Sequence, residues 1–180
     1  QAFKYDIEKI IESTDLLEWT TQSLPTYLDI RFSNICNLAC RMCWSWYSNS
    51  RIEIDKRLRN GWYIPVSNGV WNTPKFFEEK LIIHNLKYLY ISWWEPFMNP
   101  DQLRLVKMLV DQWRSHFIHL TYNTNLTVVR DEVLLPILHY KYVTFIFSCD
   151  GYKEVYEYIR IWGKWAIFLK KYFFMRKFFE

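Results

Sequence analysis

Four stretches of the chain alternate polar and apolar residues with the period of two that is typical of β-strands. In the first stretch, TYLDIRFSN over residues 26–34, Tyr27 and Asp29 alternate with Leu28 and Ile30. The other three stretches are LKYLYIS over residues 86–92, FIHLTYNTN over 117–125 and YVTFIFSCDG over 142–151. The pattern therefore predicts four strands spread over most of the chain.

Segments with helical features lie between these strands. At Thr73-Pro74 and at Asn99-Pro100 a capping residue precedes a proline, which predicts helices that begin there, the first running to about His84. Apolar spacing predicts further helices over residues 1–24, over 131–140 with an interruption at Pro136, and from Tyr152 onward with a break at Gly163. Residues 44–72 are predicted to be irregular, because glycine and proline interrupt them.

The alternation of strand and helix predicts an α/β fold, in which parallel strands are joined by right-handed crossovers. We expect a single domain over residues 1–180. It divides into a helical lead over residues 1–25, a βα core over 26–163 and an aromatic, basic C-terminal helix over 164–180. Sites in such folds form at the edge where the carboxyl ends of the strands meet.

Chemically distinctive residues follow all four predicted strands. They are the cysteines after the first strand, Glu95 after the second, Asn123 and Asn125 at the end of the third, and Ser148 and Asp150 at the end of the fourth. Asn, Asp and Ser are also common helix caps, so these residues alone do not separate a site from a set of caps. Capping does not explain the cysteines.

Charge and hydropathy exclude several classes of protein. The net charge of +4 is concentrated in residues 164–180, so no basic face for nucleic acid is predicted. No apolar run is long enough to span a bilayer. Charged residues are mixed into the first ten residues, so we do not expect a signal peptide there. Four cysteines are too few for a disulfide scaffold, which favours a reducing, cytoplasmic location.

Composition is unusual in two respects. The chain has only four glycines, whereas aromatic residues make up 20% of it, ten of them tryptophan. Either the composition is a natural outlier or small residues have been replaced deliberately. The last predicted helix is both aromatic and basic, and we expect it to pack on the sheet or to form a subunit contact; a position on a membrane surface is the alternative.

Three of the four cysteines lie within ICNLACRMCW, residues 35–44, at the spacing C-x3-C-x2-C. A disulfide would leave one thiol over. A structural zinc site needs four ligands, usually in pairs, and only three cysteines are near. An iron–sulfur cluster takes thiolates from such a tight loop, and three thiolates leave one iron of a cubane open. The spacing thus favours a cluster, with a structural zinc module as the alternative.

The fourth cysteine, Cys149, lies on the opposite strand face from Ser148 and is expected to be a buried, inert thiol.

Four segments, in order, resemble the radical S-adenosylmethionine (radical SAM) superfamily. SNICNLACRMC resembles its cluster loop, LYISWWEPFMNPD its Gly-Gly-Glu-Pro segment and YNTNLT its Thr-Asn-Gly segment. FSCDGYKEVYEYIRIWGKW is similar to the Ser-x-Asp-Gly and Tyr-Ile-Arg stretch of the SPASM/twitch-type branch. The resemblance implies an incomplete (βα) barrel of the radical SAM type, with about four parallel strands and flanking helices in place of six strand units.

The resemblance also implies cofactors and a reaction. Cys36, Cys40 and Cys43 would hold a [4Fe-4S] cluster, and an electron donor such as a flavodoxin or ferredoxin would reduce it. One-electron cleavage of SAM would give methionine and a 5′-deoxyadenosyl radical, which abstracts hydrogen from an unknown substrate; in this branch the substrate is often a peptide or protein.

The motif positions imply a SAM site as well. Met42 would lie near the adenine, the Glu95 segment would face the methionyl amino group, and Arg160 would pair with the carboxylate. Asn125, Ser148 and Asp150 match positions that line or support the cofactor site. The residues expected at the SAM site are therefore Met42, Glu95, Asn125, Ser148, Asp150 and Arg160.

The chain departs from the family pattern where the family has small residues. Trp93-Trp94 replaces the Gly-Gly pair, Leu126 replaces a glycine, and Trp44 and Trp46 follow the cysteine loop. Two indoles next to Glu95 are expected to fill space that SAM needs. We therefore expect cluster binding to survive these changes better than SAM binding. The alternative to an enzyme is a non-catalytic relic, fragment or redesigned scaffold that keeps the cysteine loop without binding SAM.

Overall fold

A four-stranded parallel sheet organises the part of the chain that the computed structural model describes, which comprises residues 2–18, 20–21, 23–58, 82–92 and 95–180. The sheet has the order β3-β4-β5-β6, and all neighbouring pairs are parallel. Its strands are β3 (Tyr27–Ile30), β4 (Tyr88–Ile91), β5 (His119–Thr124) and β6 (Tyr142–Phe147). The four predicted strands and the α/β class are thus confirmed, and the arrangement is consistent with part of a (βα) barrel.

The helices follow the predicted order, with two corrections. They are α1 (Ala2–Glu12), α2 (Ile52–Leu58), α3 (Pro100–Asp111), α4 (Asp131–Ile137), α5 (Glu154–Ile159) and α6 (Trp165–Phe179). The leading helix ends at Glu12, and the short antiparallel pair β1 (Thr14–Asp15) and β2 (Thr20–Thr21) follows it. The segment predicted to be irregular contains α2 and a 3-10 helix over Asn49–Arg51.

Other predicted features fall in the gaps between the described ranges. Thr73-Pro74, where a helix was predicted to begin, and the Trp93-Trp94 pair lie outside the described residues. Residues near the predicted end of that helix, Ile82–Asn85, form a 3-10 helix. Two further 3-10 helices cover Pro96–Met98 and Ser115–Phe117.

Helix α3 begins where the capping pattern predicts. The side-chain oxygen of Asn99 accepts hydrogen bonds from the backbone N–H groups of Asp101 and Gln102, at 2.8 and 3.2 Å. Pro100 occupies the first helical position, where its missing N–H costs nothing. The inward side of the helix buries Leu105 and Leu109 completely. Local capping and apolar spacing together account for this helix.

The sheet buries one face beneath helices. On that face Ile30, Ile91, Tyr122 and Phe145 are aligned across the four strands by the parallel register. The C-terminal helix α6 covers it, since the rings of Phe179 and Phe145 lie 5.1 Å apart. The expectation that the aromatic tail packs on the sheet is therefore confirmed. Across the described residues, we find no helix with the length and apolar character that crossing a bilayer requires.

Several non-glycine residues adopt the left-handed backbone conformation that favours glycine. Trp113 has φ 59°, Leu126 has φ 60° and Trp162 has φ 72°. At the end of α3, Trp113 N–H donates to Val110 O at 2.9 Å and Arg114 N–H donates to Leu109 O at 2.9 Å, which is the Schellman pattern of helix termination. The low glycine content thus has a structural consequence: bulky side chains occupy positions that glycine would occupy without strain.

Replacing Trp113 with glycine is expected to stabilise the protein by about 1 kcal/mol. The left-handed conformation costs an L-residue about 1–2 kcal/mol, and the Trp113 side chain, 73% exposed, has little packing to lose. Urea unfolding of wild type and variant measures the difference. The control is Phe173→Gly on α6, an exposed aromatic residue inside a right-handed helix, which should destabilise by about 1 kcal/mol. A destabilised Trp113→Gly variant would contradict the strain argument.

Candidate functional site

A cavity of about 460 Å³ opens at the carboxyl edge of the sheet. All three clustered cysteines line it, together with five of the six residues expected at a SAM site. Its full lining is Cys36, Cys40, Met42, Cys43, Tyr47, Asn123, Asn125, Ser148, Asp150 and Arg160. The fold therefore brings the loop after β3, the ends of β5 and β6, and the residue that follows α5 to one place.

Small polar side chains hold the first half of the cysteine loop. The hydroxyl of Ser48 donates to Leu38 O at 2.6 Å, and that of Ser50 donates to Cys36 O at 2.6 Å. The backbone N–H of Cys36 donates to Asn49 Oδ1 at 3.0 Å. Residues 48–50 were not predicted to have a role, although the run Ser-Asn-Ser so close to the cysteines was visible in the sequence. Their hydrogen bonds satisfy loop backbone groups that regular secondary structure does not.

A buried ion pair anchors this polar segment. Arg51 Nη2 lies 2.8 Å from Asp55 Oδ1, and each side chain is only 9% exposed. The other oxygen of Asp55 accepts the backbone N–H of Ser45 at 2.8 Å. The pair thereby joins the start of α2 to the residues that follow the third cysteine. In the sequence, this ion pair is indicated by the Arg-x-x-x-Asp spacing, which places two side chains next to each other on a helix.

The second half of the loop is tied to the segment after α5. Ala39 N–H donates to Ile161 O at 3.1 Å, and Arg41 N–H donates to Ile159 O at 2.8 Å. The side chain of Arg41 donates through Nε to Tyr158 O at 2.8 Å and lies over the Tyr158 ring, 4.1 Å from its centroid. These contacts join residues more than a hundred positions apart, so no local pattern predicts them.

Nitrogen donors lie beside two of the three sulfur atoms. Cys36 Sγ accepts from the backbone N–H of Leu38 at 3.4 Å and from Asn125 Nδ2 at 3.6 Å. Cys40 Sγ accepts from Arg160 Nη1 at 3.8 Å. Such donors stabilise negative charge on sulfur and orient the ligand, as outer-shell groups do around metal-bound thiolates.

The three thiols differ in acidity. Burial raises the pKa of Cys36 to about 11. A hydrogen bond between Cys40 and Cys43 raises the pKa of Cys40, because Cys40 keeps the shared proton, and lowers the pKa of Cys43, because Cys43 accepts it. Cys43 is therefore the thiol of the three that loses its proton most readily. Among the described residues, no three His, Cys, Asp or Glu side chains lie close enough to hold a single metal ion.

Asp150 and Arg160 form an ion pair at the cavity wall through Asp150 Oδ2 and Arg160 Nη2. The Arg160 side chain is 11% exposed and the Asp150 side chain 40%. Nearby, the hydroxyl of Ser148 donates to Asn123 Oδ1 at 2.9 Å, which ties the end of β6 to the end of β5. Arg160, expected to face a carboxylate of SAM, thus already contacts a carboxylate of the protein.

Glu95 is completely buried, and the end of β5 engages both of its carboxylate oxygens. Thr124 Oγ1 donates to Oε1 at 2.6 Å, and the backbone N–H of Asn125 donates to Oε2 at 2.8 Å. Burial raises the pKa of this carboxyl to about 7. Glu95 does not line the cavity with the cysteines; it borders a smaller hollow beside Ser33. In this structure its hydrogen bonds join the segment after β4 to β5.

A comparison with family models adds to this geometry. Residues 30–172 match the model of the Radical SAM superfamily. The chain belongs to this superfamily. Its members typically bind a [4Fe-4S] cluster and SAM, and they generally need an electron donor. Searches of curated proteins and of solved structures gave no match.

The thiols of this radical SAM domain fit a cluster. Each thiolate of a [4Fe-4S] cluster binds a different iron, so the ligands must be spread around a shared space. Cys36, Cys40 and Cys43 all line the wall of one cavity. The N–H donors that point at Cys36 and Cys40 suit anionic sulfur. The donor set is therefore of the right kind and in the right place.

The backbone conformation at Leu126 explains why the radical SAM pattern has a glycine at this position. Its φ of 60° is left-handed, and its N–H donates to Thr124 Oγ1 at 3.0 Å. The Leu126 side chain is completely buried, so the strain is offset by apolar burial. Beside it, Asn125 Nδ2 donates to Asn37 Oδ1 at 3.1 Å, which links β5 to the cysteine loop. Asn37 was a further residue that the sequence did not single out.

Cys149 corrects one expectation. It was predicted to be buried under the helices, but it is exposed, with its thiol 3.5 Å from Gly151 O. The predicted alternation of faces is observed, since Ser148 and Asp150 both line the cavity and Cys149 does not. However, β6 ends at Phe147, so Cys149 lies beyond the region that the helices cover.

Proposed function

We propose that this chain is a radical SAM enzyme that holds a [4Fe-4S] cluster on Cys36, Cys40 and Cys43 and binds SAM in the adjoining cavity. The observation that carries the proposal is the convergence of three thiols and five of the residues expected at a SAM site on one cavity of about 460 Å³. This volume lies within the range of about 300–1,000 Å³ typical of small-molecule sites. The cluster would have one iron without a protein ligand, and SAM would bind at that iron.

When bound, such a cluster supplies one electron to SAM, which yields methionine and a 5′-deoxyadenosyl radical. The residues of this chain hold and orient the two cofactors. The 48–50 segment holds Cys36 and Leu38, and residues 159–161 hold Ala39 and Arg41. Asn125 and Arg160 direct N–H groups at two of the sulfurs, which favours the thiolate form that binds iron.

Polar groups around the cavity suit a ligand with hydroxyl and ammonium groups. Asp150 is 40% exposed and Ser148 lies beside it, so both can reach such a ligand. Met42, 49% exposed at the cavity, provides an apolar surface for an adenine ring. Asn125 links this wall to Cys36. These contacts support the roles that the family motifs assign to them.

We further propose membership of the SPASM/twitch-type branch and a peptide or protein substrate. The support is the ion pair between Asp150 and Arg160, which joins the Ser-x-Asp-Gly and Tyr-Ile-Arg parts of that branch's motif. A low-potential donor such as a flavodoxin or ferredoxin would reduce the cluster. The sheet would then be part of an incomplete (βα) barrel.

The test is formation of 5′-deoxyadenosine from SAM. The protein, reconstituted with iron and sulfide under anaerobic conditions and reduced with dithionite, is expected to release 5′-deoxyadenosine and methionine in equal amounts. The double variant Trp93→Gly/Trp94→Gly is the matched comparison. It should bind SAM about tenfold tighter, because overpacking costs about 1–3 kcal/mol. A cluster that forms in both proteins without 5′-deoxyadenosine from either would contradict the proposal and favour the non-catalytic alternative.

A further inference from the structure

The guanidinium of Arg160 lies between a sulfur and a carboxylate. Its Nη1 donates to Cys40 Sγ at 3.8 Å, and its Nη2 donates to Asp150. The side chain is 11% exposed, so its positive charge is largely removed from water. Its third nitrogen, Nε, is buried and has no hydrogen-bond partner among the described residues.

This arrangement leaves little of Arg160 for a ligand. Arginine recognises a carboxylate best through two parallel N–H groups. Both terminal nitrogens of Arg160 already have partners on the protein, and the remaining Nε is enclosed. A bidentate contact with the carboxylate of SAM would have to share both terminal nitrogens with Cys40 and Asp150. The position of the charge, next to a cluster ligand, points to a different role.

We infer that Arg160 sets the reduction potential of the cluster, and that Asp150 holds Arg160 in place and moderates its charge. This inference rests on the proposed function, because it requires the cluster. Reduction adds one negative charge to the cluster and its thiolates. A positive charge beside Cys40 stabilises that reduced form and raises the potential. Asp150 acts in the opposite direction, and more weakly, because its side chain is more exposed to water, which screens its charge.

A redox titration of the cluster in the absence of SAM tests this role. Titanium(III) citrate supplies single electrons, each titanium(III) being oxidised to titanium(IV) as one [4Fe-4S]²⁺ cluster becomes [4Fe-4S]⁺. The EPR signal of the reduced cluster reports its fraction at each potential. At the wild-type midpoint, Arg160→Gln should lower the ratio of reduced to oxidised cluster about tenfold, which is about 59 mV for one electron.

Three further variants make the result specific. Arg160→Lys keeps the charge and should keep most of the wild-type potential. Asp150→Asn removes the opposing charge and should raise the ratio of reduced to oxidised cluster at the wild-type midpoint about threefold. Lys164→Gln is the control for net charge, because Lys164 pairs with Glu157 at the surface, does not line the cavity, and should leave the midpoint unchanged.

The outcomes separate this inference from the proposed function. An Arg160→Gln protein with an unchanged midpoint but weakened SAM binding would overturn the inference and would support a contact between Arg160 and the carboxylate of SAM. If the Arg160→Gln protein holds no cluster, the titrations of Arg160→Lys and Asp150→Asn test the inference instead. An unchanged midpoint in Asp150→Asn would then overturn the inference. A wild-type protein that holds no cluster would overturn the proposed function and this inference together. A potential that shifts as expected, in a protein that releases no 5′-deoxyadenosine, would support the inference alone.

Discussion

Replacing Cys40 with alanine is expected to abolish the iron–sulfur cluster. The wild-type protein should bind about four irons and four sulfides per chain, with the broad absorption near 400 nm of a thiolate-ligated cubane. Cys40 is 3% exposed, hydrogen-bonded to Cys43 and contacted by Arg160, so its loss leaves an iron without a ligand at the most enclosed corner of the site. Bound iron and sulfide should fall at least about tenfold, since even outer-shell changes cost 10–100-fold in metal affinity.

Cys149→Ala is the matched control for the loss of a thiol. Cys149 is exposed and does not line the cavity, so this variant should retain the full iron and sulfide content. Iron and sulfide analysis and the absorption spectrum, both measured after anaerobic reconstitution, check the pair of variants. Equal losses in the two variants, or full retention in Cys40→Ala, would rule out the three-cysteine cluster.

The second large effect concerns Glu95 and the stability of the protein without cofactors. Burial raises the pKa of the Glu95 carboxyl from its ordinary value of 4.5 to about 7 in the folded protein. Between pH 4.5 and pH 7 the folded protein therefore keeps a proton that the unfolded chain has lost. The stability that this proton contributes is fully present below pH 4.5 and is lost as the pH rises through 7. The shift corresponds to about 3 kcal/mol.

Glu95→Gln should remove this pH dependence. Glutamine is uncharged at every pH, and it can accept the backbone N–H of Asn125 while donating to the hydroxyl of Thr124, as a protonated glutamate would. Urea unfolding at pH 4.5 and at pH 8 measures the free energy of unfolding of both proteins. The difference between variant and wild type should move in favour of the variant by about 3 kcal/mol over this range.

Glu132→Gln provides the control for the same chemical change at an exposed site. Glu132 forms a surface pair with Arg130 at 3.3 Å, and the side chains are both 55% exposed. Surface pairs of this kind contribute at most about 1 kcal/mol, so its substitution should change stability little at either pH. A Glu95→Gln protein that keeps the wild-type pH dependence would show that Glu95 is not the group that titrates.

Local patterns predicted most of the secondary structure because the forces behind them are local. Polar and apolar alternation located all four strands, and the Asn99-Pro100 pair located the start of α3. Prediction failed where tertiary contacts decide the conformation. Helix α2, for example, lies within a stretch that the sequence predicts to be irregular, and Asp55 in its first turn is fixed by Ser45 and Arg51. At Trp113 the backbone takes a conformation that the residue itself disfavours, because the end of α3 requires it.

The candidate site could likewise be predicted only where local patterns determine it. The cysteine spacing pointed to iron–sulfur chemistry, and the parallel topology predicted that the strand ends would meet. Neither could reveal that Arg160 contacts Cys40 and pairs with Asp150, or that Glu95 is held by β5. The bonds from Ala39 and Arg41 to residues 159–161 were equally hidden.

The sequence by itself determined the α/β order of elements, the three thiols and the family, because these depend on residue type and on spacing along a short stretch of chain. Only the tertiary structure decided which nitrogen faces which sulfur, which carboxylate is buried and which guanidinium is already paired. Those contacts join residues up to 120 positions apart, and they depend on how helices and loops pack around the sheet. Their energies arise from burial and charge in three dimensions, which no pattern along the chain records.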